Sequence, residues 1–243
     1  MNYSQYNQDK IVDRLLNHKR DGFFVDIGAF DGVNYSNSLF FERHRDWKGI
    51  CIEPEPAAYH DLEKNRSCIT INCCILNSNR EAELMNIGAN RMLSFIMDSS
   101  VSKHLSNVDD LESKAGKRRT INTVKGTTLT DVLSQHKVQY VNYMSIDTEG
   151  SEPEVLAGFD FNTPVEIIGI ENAYHGGAIR KVLKQNGYLL LTLARADEIY
   201  IKRKLFRFTG WQVYYLLTGI VKLAIRKLTG IKKTYFPKPW LKF

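Results

Sequence analysis

Five short apolar runs, separated by helix-like stretches, constrain this chain more than any other feature. They are residues 23–27, 49–53, 69–76, 141–146 and 165–170, and they read as buried strands. Residues 8–18, 34–44, 57–65, 128–136, 152–157 and 178–186 read as helices. Ile11, Val12, Leu15 and Leu16 share one face of the first, Thr128 caps the fourth and Gly187 closes the last. Residues 81–87 read as a further strand, 92–117 as a polar irregular excursion, and 188–193 with 198–201 as a closing strand pair. Strands that alternate with helices and are apolar on both faces predict a doubly wound, Rossmann-like α/β sheet.

Ligands of such sheets bind beyond the carboxyl ends of the strands. Those positions hold residues 26–32, Glu53, Asn77 with Ser78, residues 147–150 and residues 171–175. They are rich in carboxylates and glycines. Asp26-x-Gly28-x-x-x-Gly32 follows the first strand, where glycines allow a tight turn and close approach of a ligand. Glu53 ends the second strand, where an acid can accept hydrogen bonds from ribose hydroxyls. A nicotinamide dinucleotide needs a phosphate cradle. Here Phe30 replaces its middle glycine, and Asp26 and Asp31 would repel a pyrophosphate. S-adenosylmethionine carries a sulfonium and an amino group, and carboxylates near the turn suit it.

Charge is divided unevenly. Residues 202–243 hold 11 Lys and Arg and no Asp or Glu, which leaves 22 basic and 27 acidic residues in 1–201. A mildly acidic domain, residues 1–203, thus carries a basic tail, residues 204–243. Within the tail, Val213, Leu216, Leu217, Ile220, Val221, Leu223, Ala224 and Leu228 gather on one side of a helix, opposite Gln212, Thr218, Lys222, Arg226 and Thr229. This basic amphipathic extension is too charged to span a bilayer. It suits an anionic membrane surface, or packing on the domain or a partner subunit. Basic charge alone argues poorly for nucleic acid. The N-terminus reads without a secretory leader, and Cys51, Cys68, Cys73 and Cys74 form no C-x-x-C pair. They read as reduced thiols of a cytoplasmic protein, peripheral at the inner membrane face if the tail binds lipid.

An ordered set of motifs adds a resemblance. Ser4-Gln5 and Gln8-Asp9 precede Gly22-Phe23-Phe24-Val25-Asp26-Ile27-Gly28-Ala29-Phe30-Asp31-Gly32. Ser36-Asn37, Glu42, Trp47-Lys48-Gly49-Ile50-Cys51-Ile52-Glu53-Pro54 and Asn65-Arg66 follow. Ser145-Ile146-Asp147-Thr148-Glu149-Gly150-Ser151-Glu152 and Gly187-Tyr188 complete the set. Over roughly residues 4–201 the chain resembles the FkbM family of S-adenosylmethionine-dependent methyltransferases. The resemblance implies a seven-stranded methyltransferase sheet and transfer to oxygen, often a hydroxyl of a sugar, glycan or secondary metabolite. It implies that Asp26, Gly28, Ala29, Asp31 and Gly32 wrap the methionine part of the cofactor. Ser36 and Asn37 lie near its carboxylate, Glu53 holds the ribose, and the loop near Asn77 and Ser78 borders the adenine. Ser36 reads equally as a helix cap.

An alkyl hydroxyl is a poor nucleophile, so transfer to it calls for a base or a metal. Asp147, Glu149 and Glu171 are the candidate carboxylates, with Asp147 also near the cofactor; Glu149 reads alternatively as a cap for the helix at Glu152. His175 is a candidate base on the loop that follows. Asp147 with Glu171 and Asn172 resembles the Mg²⁺ site of catechol-type O-methyltransferases, apart from Glu171 in place of Asp. Two other classes stand beside this reading: a non-catalytic S-adenosylmethionine-binding or scaffold protein, and a nicotinamide-dependent oxidoreductase.

Overall fold

The apolar runs become strands because both of their faces are covered. In the computed structural model, Val25 and Ile27 of the first run enter one hydrophobic layer and Phe24 enters the other. The structure describes residues 3–87, 94–97, 119–172, 177–205 and 210–229. In chain order the elements begin α1 (Gln8–Leu15), β1 (Phe23–Ile27), α2 (Leu39–Arg45), β2 (Lys48–Ile52), α3 (Pro56–Asn65) and β3 (Ile69–Ile71). Then come β4 (Cys74–Ile75), β5 (Arg80–Ile87), β6 (Ser94–Ile96), β7 (Arg119–Thr127), α4 (Leu129–Gln135) and β8 (Val141–Ile146). The chain continues through α5 (Glu152–Ala157), β9 (Val165–Glu171), α6 (Gly177–Gln185), β10 (Tyr188–Ala194), β11 (Asp197–Lys202) and α7 (Gly210–Thr229).

Seven strands form the main sheet in the order β10-β11-β9-β8-β1-β2-β3. The pairings from β9 to β3 are parallel, and β11 runs antiparallel to both its neighbours. This is the seven-stranded, doubly wound sheet expected from the sequence. One face is covered by Leu133 of α4, Val155 of α5 and Leu183 of α6. The other is covered by Val12 and Leu15 of α1, Phe41 of α2, Leu62 of α3 and Tyr215 of α7. Each large apolar side chain buried this way contributes about 1.5–3 kcal/mol of transfer free energy. From β1 the chain first builds outward through β2 and β3, and later resumes on the opposite flank with β8. That reversal opens a crevice at the carboxyl ends of β1 and β8.

Three expectations need revision. The run 69–76 is not one strand. The Asn72 amide donates to the carbonyls of Glu53 at 2.8 Å and Pro54 at 3.2 Å, which turns the chain away after β3. Cys74 and Ile75 then join a second, four-stranded sheet in the order β4-β7-β5-β6. In the stretch 34–44 only Leu39 onward is helical, because local side-chain hydrogen bonds occupy the backbone before it. Part of the irregular excursion at 92–117 is ordered, since Ser94–Ile96 is a strand paired with β5. Residues 98–118 lie outside the described residues.

Candidate functional site

The crevice is built by β1 and the turn that leaves it. Gly28 and Ala29 donate their N–H groups to the Ile52 carbonyl at 2.9 and 3.0 Å, which closes the turn against the end of β2. Gly28 has φ +84°, and a Cβ there would lie 1.9 Å from the Asp147 carbonyl oxygen. Glycine is therefore required twice over, by dihedral angle and by the approach of β8. Gly32, at φ +77°, is pressed instead against Leu62 and Arg66, where a Cβ would meet carbon at 2.6 Å.

Glu53 faces the turn from the end of β2. Its carboxylate accepts the N–H of Phe30 at 2.8 Å and of Glu55 at 2.9 Å. Burial outweighs those two bonds and pushes Glu53 up to about 7. Asp26, at 3% exposure, accepts the Ser38 hydroxyl at 2.5 Å. Burial raises its carboxyl, and the Ser38 hydroxyl and the Arg66 charge oppose the rise. Arg66 is fully buried and pairs with Glu42 at 2.7 Å. Its other nitrogens reach the Gly32 carbonyl at 3.1 Å, Ser36 Oγ at 3.3 Å and Ser38 Oγ at 3.1 Å. One guanidinium thus pins both ends of the segment from Gly32 to Ser38.

The resulting cleft measures about 860 Å³ including its open mouth. Asp26, Glu53, Asp147 and Glu149 all line it, and among the described residues no Lys, Arg or His does. Its apolar wall comes from Ile52, Ile75, Leu84 and Ile96. Asn37 donates its amide N–H to Ser145 Oγ at 3.0 Å, while its Oδ1, buried in the lining, accepts no hydrogen bond among the described residues. A buried acceptor of that kind is costly unless a donor fills it. Beside the cleft, Asp147, Glu149 and Glu171 bring carboxylate oxygens within 4.8 Å of one another.

A buried turn between β1 and β2, a carboxylate closing β2 and a carboxylate group after β8 and β9 form a site that spans most of the chain. A family model described as the Methyltransferase FkbM domain matches residues 26–190, which encompass all of these features. The chain belongs to the FkbM methyltransferase domain family. No curated protein matches it. Among solved structures it is similar to a methyltransferase FkbM from Methylobacillus flagellatus KT, with 13% identity and a TM-score of 0.45 over 74% of this chain. The match spans 43% of that longer protein. It is also similar to TrmK of M. capricolum (9% identity, TM-score 0.43, 95% of this chain and 88% of that one). A third is a TehB-like methyltransferase from Corynebacterium glutamicum (9% identity, TM-score 0.41, 81% and 88%).

Of the residues singled out in the sequence, Asp26, Gly28, Ala29, Ser36, Asn37, Glu53, Asp147 and Glu149 line the FkbM-domain cleft. Ser36 also caps the approach to α2, accepting the Leu39 N–H at 3.1 Å. Asp31, Gly32 and Asn77 are not among the lining residues. Asp31 accepts the N–H groups of Val33 at 2.9 Å and Asn34 at 2.8 Å, so its carboxylate shapes the turn. Cys73, Cys74 and Ile75, just before Asn77, border the cleft instead. Glu152, the first residue of α5, takes the N–H of Thr148 at 3.1 Å and of Gly150 at 3.0 Å and so braces the loop before the helix. Glu149, at φ +54°, is turned toward the cleft. Asn172 is buried directly after Glu171, and His175 lies outside the described residues. Leu84, Ser94 and Ile96 were not apparent from the sequence, because a second sheet carries them to the site.

Proposed function

We propose that this FkbM-family chain transfers the methyl group of S-adenosylmethionine to a hydroxyl oxygen of a sugar, a glycan or a secondary metabolite. The observation that supports this most is the cleft lining at the sheet's switch point: four carboxylates and a buried amide carbonyl, with no basic side chain among the described residues. A pyrophosphate cofactor would be repelled there, which disfavours a nicotinamide oxidoreductase. A sulfonium and an ammonium would be welcomed. Bound S-adenosylmethionine supplies a methyl carbon already activated by its sulfonium.

The chain's own residues then have distinct tasks. Glu53 retains acceptor capacity for ribose hydroxyls beyond its two backbone bonds. Asn37 Oδ1 offers an acceptor to the ammonium end of the cofactor. Ile52, Ile75, Leu84 and Ile96 provide an apolar wall for a purine. Asp147, Glu149 and Glu171 stand where an acceptor hydroxyl would lose its proton, and one of them takes that proton as the oxygen attacks. His175 is a further candidate base. The compact carboxylate group also favours a second reading, in which Asp147 and Glu171, with Asn172, hold Mg²⁺ beside the acceptor oxygen. A methyl-acceptor screen that starts with saccharides, run with and without EDTA, tests both. O-methyl products that persist in EDTA support the carboxylate base, and products lost in EDTA and restored by Mg²⁺ support the metal. Transfer only to nitrogen or carbon overturns the proposal.

The position of Glu53 makes a separate prediction. In the free protein it titrates at about 7. Ribose hydroxyls donate to the ionised carboxylate, so the ligand favours that form. Affinity for S-adenosylhomocysteine is expected to be near its plateau well above that pKa and about tenfold weaker one unit below it. Glu53→Gln should bind more weakly and show a flatter profile. Calorimetric titration across this range checks the result, and equal pH dependence in both proteins contradicts it.

A further inference from the structure

The helix α7 (Gly210–Thr229) is held to the domain by a face other than its most apolar one. Tyr215, 7% exposed, enters the core layer beside α1 and accepts a hydrogen bond from Arg14 at 3.3 Å. Gly219 is buried so closely that a Cβ would lie 2.1 Å from the Leu191 carbonyl of β10. Docking through positions 215 and 219 leaves the opposite side of the helix outward. There Val213, Leu217, Ile220 and Val221 are 45%, 59%, 54% and 57% exposed, and Tyr214 beside them is 54% exposed. At 100° per residue these side chains form one stripe along the helix. A continuous apolar stripe on a helix already docked by its other face marks an interaction surface.

We propose that this stripe lies on the surface of an anionic lipid bilayer. The segment 202–243 that contains it carries 11 Lys and Arg and no acid, which matches a negative headgroup layer. A second copy of the chain fits poorly, since pairing two stripes face to face would bring two such segments together. Nucleic acid would satisfy the charge and leave the apolar stripe in water. No described helix is long and apolar enough to cross a membrane, so the contact is interfacial. The surface is separate from the cleft, and the proposal stands or falls independently of the methyl acceptor.

Co-sedimentation of the full-length chain with vesicles tests it. Binding is expected to vesicles containing roughly 30% phosphatidylglycerol and not to pure phosphatidylcholine. The Leu217→Glu/Val221→Glu pair, on exposed positions, should lower the partition coefficient at least about tenfold with an unchanged melting temperature. Lys232, Lys233, Lys238 and Lys242 changed together to Gln should weaken binding independently of the helix. Absence of binding to the anionic vesicles overturns the proposal. So does unaltered binding by the Glu pair, or a dimer in sedimentation velocity that the Glu pair dissociates.

Discussion

Glu171→Gln is expected to reduce turnover by about 10²- to 10⁴-fold, with S-adenosylmethionine affinity changed less than about threefold. Glu171 ends β9, is 6% exposed and does not line the cleft. Its carboxylate is nevertheless within 4.8 Å of those of Asp147 and Glu149. Glutamine keeps the volume and one acceptor but takes negative charge out of the carboxylate group proposed to receive the hydroxyl's proton, so the loss belongs to the transfer step. Asp147→Asn should lose turnover on the same scale, with some loss of cofactor affinity because Asp147 also lines the cleft. Single-turnover rates with saturating cofactor separate the two effects. Normal turnover in both Asp147→Ala and Glu171→Ala would remove these two carboxylates from the mechanism.

The second large effect comes from the backbone. Gly28→Ala should weaken cofactor binding by about 100-fold or more and destabilise the domain by about 3 kcal/mol. The left-handed φ of +84° accounts for about 1–2 kcal/mol of that cost. The remainder comes from the Asp147 carbonyl, which must move from 1.9 Å before the methyl group fits. Moving it displaces the start of the loop that carries Asp147 and Glu149. Gly187→Ala is an internal comparison: its φ is also left-handed, at +77°, but a Cβ there meets nothing within 4 Å among the described residues. It should cost only the dihedral penalty and leave cofactor affinity unchanged. Denaturant melts with calorimetry check both variants, and similar behaviour would contradict the close-approach argument.

The sheet was legible in the sequence wherever a strand is buried on both faces. Residues 23–27 and 141–146 read as strands with their observed limits, because every position from Phe24 to Ile27 and from Val141 to Ile146 is buried. The second sheet was less legible. In β7, Ile121 is 53% exposed while Val124 is buried, so its pattern gives no clean alternation. The break in the run 69–76 depends on the Asn72 amide finding carbonyls in the loop after β2, a contact that periodicity does not encode. The acidic ends of the strands marked the site, because topology brings strand ends together. They did not distinguish Glu53, which lines the cleft, from Asp31, whose carboxylate shapes its own turn. Arg66 appeared only as part of a motif. Its work on Gly32, Ser36 and Ser38 depends on α3 packing beneath the turn. Spacing grouped Leu216 with Leu217, Ile220 and Val221 on one side of α7. It did not show that the domain grips the helix by Tyr215 and Gly219, that Leu216 packs against the core beside them, or that Leu217, Ile220 and Val221 are left exposed.

Calorimetric titration of the full-length chain with S-adenosylmethionine, S-adenosylhomocysteine and NAD is the most direct measurement of the central claim. Both sulfur ligands are expected to bind at a single site, weakened by Glu53→Gln, and NAD is expected not to bind. Binding of NAD without either sulfur ligand would contradict the reading of this acidic cleft as a methyl-donor site.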